Sequence, residues 1–313
     1  MEKVCIIGNL NIDLIMGKFS ELPQWGKEKV ADILETRCAG QVGYIAKALA
    51  SLGIKVSVIA NLGDDHYGRL ILEDLKKFGI NIKGIKVLKD ISTGITVALV
   101  NERGERAFLS YPGSMRYFTE RDIEENWNLI EKADYVALNG YFLLPDLCFE
   151  SVKELFDKVR KLGKITVLDT GWDPADWPPA HISQIKEILS RTDIFLPNLD
   201  EARVLTGKDK VKDALRKLCF WSSGLVVIKM GEDGSIAIKD ENIFYQGAFK
   251  TKILDTTGAG DTFNAGFLYG LMRGWNLDRV LKFANAFTSL HLCAQRGRYP
   301  TEEEVWSFIY KDS

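Results

Sequence analysis

The chain has 313 residues, of which 46% are hydrophobic and 27% are charged, and its formal net charge is −2. These proportions are ordinary for a globular protein long enough to bury a core. The near-neutral charge argues against nucleic-acid binding, which usually requires a basic excess. No uncharged apolar stretch approaches the roughly 20 residues that span a bilayer, and no secretory signal is visible. We therefore expect no nucleic-acid partner and no membrane association.

The five cysteines are scattered and never stand in C-x-x-C spacing. An odd number of cysteines without a metal-binding spacing predicts neither a disulfide framework nor a zinc site. Free thiols are typical of a reducing compartment, so we expect a cytoplasmic protein. The three histidines are also too dispersed to indicate a metal cluster.

Short apolar runs rich in β-branched residues alternate with longer segments of helical periodicity. The predicted strands are 4–8, 56–61, 135–139, 165–169, 194–197, 225–230 and 235–238. The predicted helices are 44–52, 68–78, 147–162, 182–190, 211–221, 262–273 and 277–292. Strands that are apolar throughout and separated by helices are typical of a parallel sheet covered on both faces. The sequence thus predicts an α/β three-layer sandwich with a mostly parallel central sheet.

Two segments interrupt this alternation and are predicted to form a small β-sheet lid. Residues 11–37 have extended ends around a middle that contains Pro23 and Gly26, and 93–110 have the pattern of a hairpin. We expect one domain over 1–313, with the lid inserted at about 11–38 and 93–112. Because a lid sheet presents an edge that a second subunit can cover, a homodimer through the lid is also expected.

The most informative stretch is Gly258-Ala259-Gly260-Asp261, here called the glycine turn, which opens a predicted helix. Its glycines leave backbone N–H groups accessible at a helix N-terminus, where the helix dipole favours negative charge. A phosphoryl group in transfer carries such charge, and Asp261 could accept a proton from an attacking hydroxyl. The bare pattern is equally typical of a tight strand-to-helix turn in which Asp261 is only a helix-start carboxylate.

A second candidate motif, Asn198-Leu199-Asp200-Glu201, follows the predicted strand 194–197. Ligands of open α/β sheets bind at the carboxyl ends of strands, so these polar side chains stand where a ligand could bind. Asn198 and Glu201 also have the spacing of a helix capping box. Without further context, the cap is the simpler interpretation.

The glycine turn lies within a longer string, DTTGAGDTF at 255–263, which resembles the signature of the ribokinase-like (pfkB-type) carbohydrate kinases. The Walker A pattern is absent, so P-loop chemistry is not implied. The resemblance implies ATP-dependent phosphorylation of a sugar hydroxyl, with Asp261 as general base and 258–260 as the anion hole. It also implies a monovalent cation, usually potassium, at Asp255 and Thr257. In this family the motif at 198–201 organises magnesium and phosphate, largely through water.

On the acceptor side, GNLNID at 8–13 resembles the substrate-binding start of the family. The resemblance implies that Asp13 accepts hydrogen bonds from sugar hydroxyls, with Asn11 and Gly40 nearby. A polar pair after an apolar strand is otherwise a turn former. Arg106, beside the predicted hairpin turn, could reach the cleft, although an exposed turn arginine is the more common case.

On the nucleotide side, KMGEDG at 229–234 resembles the loop that binds ATP, which places Lys229, Gly231 and Gly234 in the predicted ATP site with Asn198 and Gly260. Most relatives have a small hydroxyl residue where Lys229 stands. Lys229 either contacts a phosphate or is a solvated lysine at a strand end. Asn285 matches a residue that borders the adenine pocket, and is otherwise a polar position on a packed helix.

The first glycine motif departs from the family pattern. Where the family has a Gly-Gly pair followed by an asparagine, this chain has Ala39, Gly40 and Tyr44. Asparagine offers donors and an acceptor to vicinal hydroxyls, whereas tyrosine offers a ring face and one hydroxyl. We therefore expect Tyr44 at the acceptor site and an acceptor that differs from ribose. The loop 169–173 also departs from the usual Asp-Pro-Asn type, and its role is left open.

Three functions remain to be compared. A kinase for a small sugar-like substrate accounts for the most motifs, and a nucleoside kinase of the same fold is the alternative that Tyr44 allows. A catalytically silent sugar-binding regulator would need neither Asp261 nor the motif at 198–201. A nicotinamide dehydrogenase is disfavoured, because no G-x-G-x-x-G pattern follows the first strand.

Overall fold

The computed structural model describes residues 3–253, 256–294 and 297–311. Its strands are β1 Lys3–Gly8, β2 Asn11–Phe19, β3 Ile33–Ala39, β4 Lys55–Gly63, β5 Asn81–Leu88, β6 Ile95–Asn101, β7 Arg106–Tyr111, β8 Tyr135–Asn139, β9 Ile165–Asp169, β10 Ile194–Phe195, β11 Leu225–Lys229, β12 Ser235–Lys239 and β13 Asn242–Gln246. Its helices are α1 Gly40–Ser51, α2 His66–Lys77, α3 Glu120–Glu124, α4 Trp127–Glu131, α5 Phe149–Lys161, α6 Pro179–Leu189, α7 Leu199–Thr206, α8 Val211–Trp221, α9 Ala259–Met272, α10 Leu277–Cys293 and α11 Glu302–Lys311.

A nine-stranded sheet lies at the centre, in the order β13-β12-β11-β10-β9-β8-β1-β4-β5. The strands from β11 to β5 run parallel, and only β12 and β13 are antiparallel to their neighbours. Successive residues of β1 belong to two different cores: Ile6 lies in the core that includes Phe267 of α9, and Ile7 lies in the core that includes Phe156 of α5. This two-sided burial confirms the predicted three-layer α/β architecture.

A second sheet of four strands, here called the small sheet, has the order β3-β2-β6-β7. Strand β2 pairs antiparallel with β3 and parallel with β6, and β6 and β7 form the predicted hairpin. The small sheet thus uses the two segments that interrupted the α/β alternation. Asp13, Arg37 and Thr96 are register partners, so they share one face of the sheet. The division of the chain into one domain with an inserted lid stays a prediction.

Three elements that the sequence did not predict, β5, β13 and α11, lie at edges and ends of the fold. Strand β5, which contains Gly84, is one edge of the central sheet, and β13 is the opposite edge. Helix α11 has only two buried residues, Val305 and Ile309. Elements with one face in solvent have short apolar patterns, which periodicity detects poorly.

Among the described residues, we find no helix with the length and apolarity needed to cross a lipid bilayer.

Candidate active site

The glycine turn lies at the N-terminus of α9, beside the carboxyl ends of the central strands. Gly258 is the N-cap and has a left-handed backbone, with φ of 72°. A β-carbon at this position would lie 2.9 Å from the ring of Tyr44, so the close approach of the ring and the positive φ both require glycine. The helix N-terminus therefore offers backbone N–H groups and a positive dipole to an anion.

Asp261 lies in the first turn of α9 and is buried, with 9% of its surface exposed. Burial raises the pKa of Asp261 well above its ordinary value, and the nearby negative charge of Asp169 raises it further. The ammonium group of Lys229 acts in the opposite direction and lowers this pKa. A carboxyl group with a raised pKa suits a general base, because it binds a proton more strongly than an ordinary aspartate.

Asp169, at the carboxyl end of β9, is the centre of a buried hydrogen-bond network. Its Oδ2 accepts hydrogen bonds from Lys229 Nζ and Asn264 Nδ2, each at 2.6 Å. Its Oδ1 accepts from Gln41 Nε2 and from the backbone N–H of Gly171, each at 3.1 Å. Burial alone would raise the pKa of Asp169, but the Lys229 charge and these donors hold it below the usual value. Asp169 is not among the residues that the sequence predicts for the site, although a carboxylate at the end of a buried strand is a signal for one.

Lys229 is buried at the end of β11, with 11% of its side chain exposed. A β-carbon on Gly260 would lie 3.5 Å from its ammonium nitrogen, so this cation lies beside the glycine turn. The alternative of a solvated lysine is therefore wrong. Contact with a phosphate stays a prediction.

Asn198 and Glu201 form the capping box that their spacing indicated. Asn198 Oδ1 accepts from the N–H of Glu201, and Glu201 Oε2 accepts from the N–H of Asn198, both at 2.8 Å. Burial, and then the charge of Asp169, raise the pKa of Glu201 to about 7. The cap occupies one carboxylate oxygen, and a buried carboxylate at a strand end fits Mg²⁺ that is held mainly by water and phosphate. No group of three or more His, Cys, Asp or Glu in the described part of the chain is arranged to hold a metal.

The predicted acceptor residues come together on β2 and α1. Asn11 Nδ2 donates to Asp13 Oδ1 at 2.9 Å and to Thr96 Oγ1 at 3.3 Å. Tyr44 donates its hydroxyl hydrogen to Asp13 Oδ2 at 3.0 Å. A β-carbon on Gly40 would lie 2.7 Å from Asn11 Oδ1, so glycine is needed for this approach. Burial raises the pKa of Asp13 to about 6.

Arg106 connects the small sheet to the glycine turn. Its Nη1 donates a hydrogen bond to Thr257 Oγ1, the residue that precedes Gly258. Arg106 is partly buried rather than exposed. The hydroxyl predicted to bind a monovalent cation therefore lies against a guanidinium group. Asp255, the other predicted cation ligand, lies outside the described residues.

The predicted nucleotide loop follows β11. Gly231 opens a 3₁₀ turn, Gly231–Asp233, and a β-carbon on Gly234 would lie 2.1 Å from Gln246 O. Asn285 donates to Ser235 Oγ at 2.7 Å and to Leu281 O at 2.8 Å. These bonds support a structural role for Asn285, and its place at the adenine pocket stays a prediction.

Several buried oxygens near Asp169 have no hydrogen-bond partner within the described structure. They are Gln41 Oε1, Asn264 Oδ1, Thr170 Oγ1, Asn9 Oδ1 and Asn139 Oδ1. Buried polar atoms are normally paired, so a group of such atoms at neighbouring strand ends indicates a place for a polar ligand. In the segment that follows Asp169 in the chain, Trp177 is buried and Trp172 is 46% exposed.

Comparison with known proteins identifies the family of the chain. The family model described as pfkB family carbohydrate kinase matches residues 1–304. The chain is 26% identical over 291 residues to the ATP-dependent 6-phosphofructokinase of Thermoanaerobacterium thermosaccharolyticum, covering 92% of this chain and 87% of that protein. It is 28% identical over 309 residues to the ribokinase of Bacillus subtilis, covering 97% and 98%. The structure of Arabidopsis thaliana ribokinase complexed with ribose and ATP has a TM-score of 0.82 at 24% identity, over 99% of both chains. The chain has the ribokinase-like fold and belongs to the pfkB family of carbohydrate kinases.

Proposed function

We propose that this carbohydrate kinase transfers the terminal phosphate of ATP to a hydroxyl group of a small sugar or sugar-like molecule. One observation carries the proposal: the buried carboxyl group of Asp261 and the glycine turn share one helix N-terminus, and Tyr44 joins this turn to Asp13. The proposed proton acceptor, the proposed anion site and the proposed hydroxyl-binding carboxylate are thus connected through Tyr44.

In the proposed reaction, Asp13, Asn11, Gly40 and Tyr44 bind the acceptor, and Arg106 contributes from the small sheet. Asp261 takes the proton of the acceptor hydroxyl. The hydroxyl oxygen then forms a bond to the terminal phosphorus while the bond from that phosphorus to the bridging oxygen of ADP breaks. The backbone N–H groups of 258–260 stabilise the charge on the phosphoryl oxygens.

ATP is proposed to lie along the loop after β11, with its phosphates at the glycine turn. The residues proposed to bind it are Asn198, Lys229, Gly231, Gly234, Gly260 and Asn285. Magnesium, held through water by Glu201 and Asn198, would neutralise phosphate charge. A monovalent cation such as potassium is proposed at Thr257 and Asp255. The Arabidopsis ribokinase with bound ATP supports the nucleotide assignment.

A homodimer through the small sheet is also part of the proposal. Leu34 of β3 and Leu109 of β7 are 67% and 64% exposed. They lie on the face opposite Asp13, because Leu34 pairs with Met16 and Leu109 pairs with Val97. An exposed apolar face on a sheet with open edges suits a second copy of the chain.

The experiment that tests the proposed function measures ADP formation by the purified chain with MgATP and a panel of acceptors. The panel contains pentoses, hexoses, ketoses, inositols, sugar acids and nucleosides. We expect acceptor-dependent ADP formation with at least one sugar-like compound. Activity on nucleosides alone would favour the nucleoside kinase, and binding of sugars without any ADP formation would favour the silent regulator.

A further inference from the structure

Lys229 and Asp169 form a buried ion pair where the acceptor and nucleotide regions meet. The Nζ–Oδ2 distance is 2.6 Å, and the two side chains are 11% and 2% exposed. The residues end β11 and β9, the strands on either side of β10. A buried pair is costly to desolvate and adds little stability by itself. Its position next to the glycine turn therefore calls for a functional explanation.

The ammonium group of Lys229 lies next to Gly260 in the glycine turn. It lies 3.5 Å from the position that a β-carbon would take on Gly260. Its charge also acts on the carboxyl groups of Asp261 and Glu201. An ammonium group has three N–H donors, and Asp169 is its one side-chain hydrogen-bond partner among the described residues. Donors therefore remain for an anion at the turn.

Three hydrogen-bond donors besides Lys229 hold the carboxylate of Asp169 in place. Asn264 of α9, Gln41 of α1 and the N–H of Gly171 all donate to it. The remaining oxygens of the two amides, Gln41 Oε1 and Asn264 Oδ1, are buried without partners in the described structure. These two atoms independently indicate that a polar ligand completes this network.

We propose that Asp169 is a positioning residue that holds the Lys229 ammonium beside Gly260 as a fixed cation for the transferred phosphoryl group. This inference rests on the proposed function. A cation already in place stabilises the transition state without reorganising during the reaction. A free lysine side chain would first have to lose its rotamer entropy. The competing explanation is that the pair only joins β9 to β11.

The first test measures nucleotide binding without any acceptor. Calorimetry compares MgADP with Mg-AMP-PNP, which has a third phosphate group that is not transferred. We expect Lys229→Met to weaken AMP-PNP binding about tenfold more than ADP binding, the scale of one charge-assisted contact. Asp169→Asn should also weaken AMP-PNP binding more than ADP binding. The control is Lys239→Met, at an exposed lysine that ends β12, and it should change the binding of neither nucleotide. Equal losses for both nucleotides in the Lys229 variant would overturn the inference.

The second test is a kinetic double-mutant cycle with the acceptor found by the panel. If Asp169 acts through Lys229, each single substitution lowers kcat by about 100-fold with little change in acceptor KM. Asp169→Asn then has little further effect in the Lys229→Met background. Multiplicative losses, with melting temperatures that fall in step with kcat, would instead assign the pair a structural role.

If an uncharged variant, Lys229→Met or Asp169→Asn, fails to fold, two charge-conserving variants still test the inference. Lys229→Arg and Asp169→Glu retain the charges of the ion pair. We therefore expect both variants to fold and to bind Mg-AMP-PNP and MgADP with the same ratio of affinities as the wild type. A lower ratio of Mg-AMP-PNP affinity to MgADP affinity in a folded Lys229→Arg variant would contradict the inference. If the wild type phosphorylates no acceptor, the proposed function fails and the inference fails with it. If the wild type is active but the cycle is multiplicative, only the inference fails.

Discussion

The hydroxyl of Tyr44 donates a hydrogen bond to Asp13 at 3.0 Å, while the ring of the same residue lies against Gly258. One side chain thus connects the proposed acceptor site to the proposed anion hole. The asparagine that the family pattern has here is shorter and has no ring to cover the turn. Tyr44 therefore packs against the glycine turn, and we expect it to alter the proposed acceptor site as well.

The first prediction concerns the pH dependence of acceptor binding. Burial raises the pKa of Asp13 to about 6, and the hydrogen bond from Tyr44 opposes this rise. In the proposed function the ionised carboxylate accepts hydrogen bonds from the acceptor hydroxyls, so acceptor affinity should fall as the pH drops through about 6. Tyr44→Phe removes the donor and raises this pKa further, so its affinity should begin to fall at a higher pH. Calorimetric titration of the acceptor across the acid and neutral range measures the effect.

The control for this prediction is Tyr310→Phe, at a tyrosine that is 72% exposed on α11. It should bind the acceptor with the wild-type pH dependence. Coincident profiles for Tyr44→Phe and the wild type would show that the Tyr44 hydroxyl does not influence Asp13.

The second prediction separates backbone strain from the packing of the glycine turn. Gly258 and Gly53 both have positive φ, 72° and 82°. A β-carbon would meet the Tyr44 ring at 2.9 Å at Gly258, and nothing within 4 Å at Gly53. Both alanine variants should lose about 1–2 kcal/mol of unfolding free energy from the left-handed backbone. Only Gly258→Ala should also lose turnover, by about 100-fold or more, because the anion hole is displaced. Similar turnover in the two variants would argue against this role of the turn.

The third prediction concerns the contact between the small sheet and the glycine turn. Arg106→Met removes the donor to Thr257, and Thr257→Val removes the acceptor. Each should raise acceptor KM and lower kcat, and the double variant should be no worse than the more damaging single variant. Arg103→Met, at an exposed arginine in the adjacent hairpin turn, serves as the control. Independent, multiplicative effects would mean that the two residues act separately.

The fourth prediction concerns stability. Asp65 caps α2 by accepting from the N–H of Gly68 at 2.7 Å, and it also accepts from the N–H of Thr93 at 2.7 Å. Burial alone would raise the pKa of Asp65, but the bonds from these N–H groups lower it overall. The stabilisation is therefore present above the pKa of the unfolded chain and is lost as the pH falls through the lowered folded pKa. Asp65→Ala should cost about 1–2 kcal/mol at neutral pH, and less in acid.

Urea unfolding at neutral and acid pH measures this difference. The neighbouring Asp64 is exposed, and its side chain forms a surface ion pair with Arg69 at 3.3 Å, so Asp64→Ala is the matched control and should cost little. Equal losses at the two positions, or a loss at Asp65 that persists unchanged in acid, would contradict the capping account.

The fold and the position of the glycine turn at a helix start could be predicted because their signals are local. Apolar runs marked the central strands, and the string around Gly258 and Asp261 marked one helix start. The capping box of Asn198 and Glu201 likewise follows from a spacing of three residues. Each of these features depends on neighbours in the chain, so one sequence was enough.

The centre of the site could not be predicted in the same way. Asp169 and Lys229 are 60 positions apart, and their contact depends on the order of β9, β10 and β11 in the sheet. Lys229 was interpreted as either phosphate-binding or solvated, because nothing near it in the chain shows that its ammonium is buried. The hydrogen bond from Tyr44 to Asp13 likewise depends on the packing of α1 against β2, which periodicity does not specify.

The central claim is that Asp261 is the general base, and the most direct test is the turnover of Asp261→Asn. Asparagine has the same shape but cannot take a proton from the acceptor hydroxyl. The variant should bind MgATP and the acceptor nearly as the wild type does, and its kcat should fall by about two to four orders of magnitude. Near-normal kcat in a folded Asp261→Asn variant would contradict the assignment.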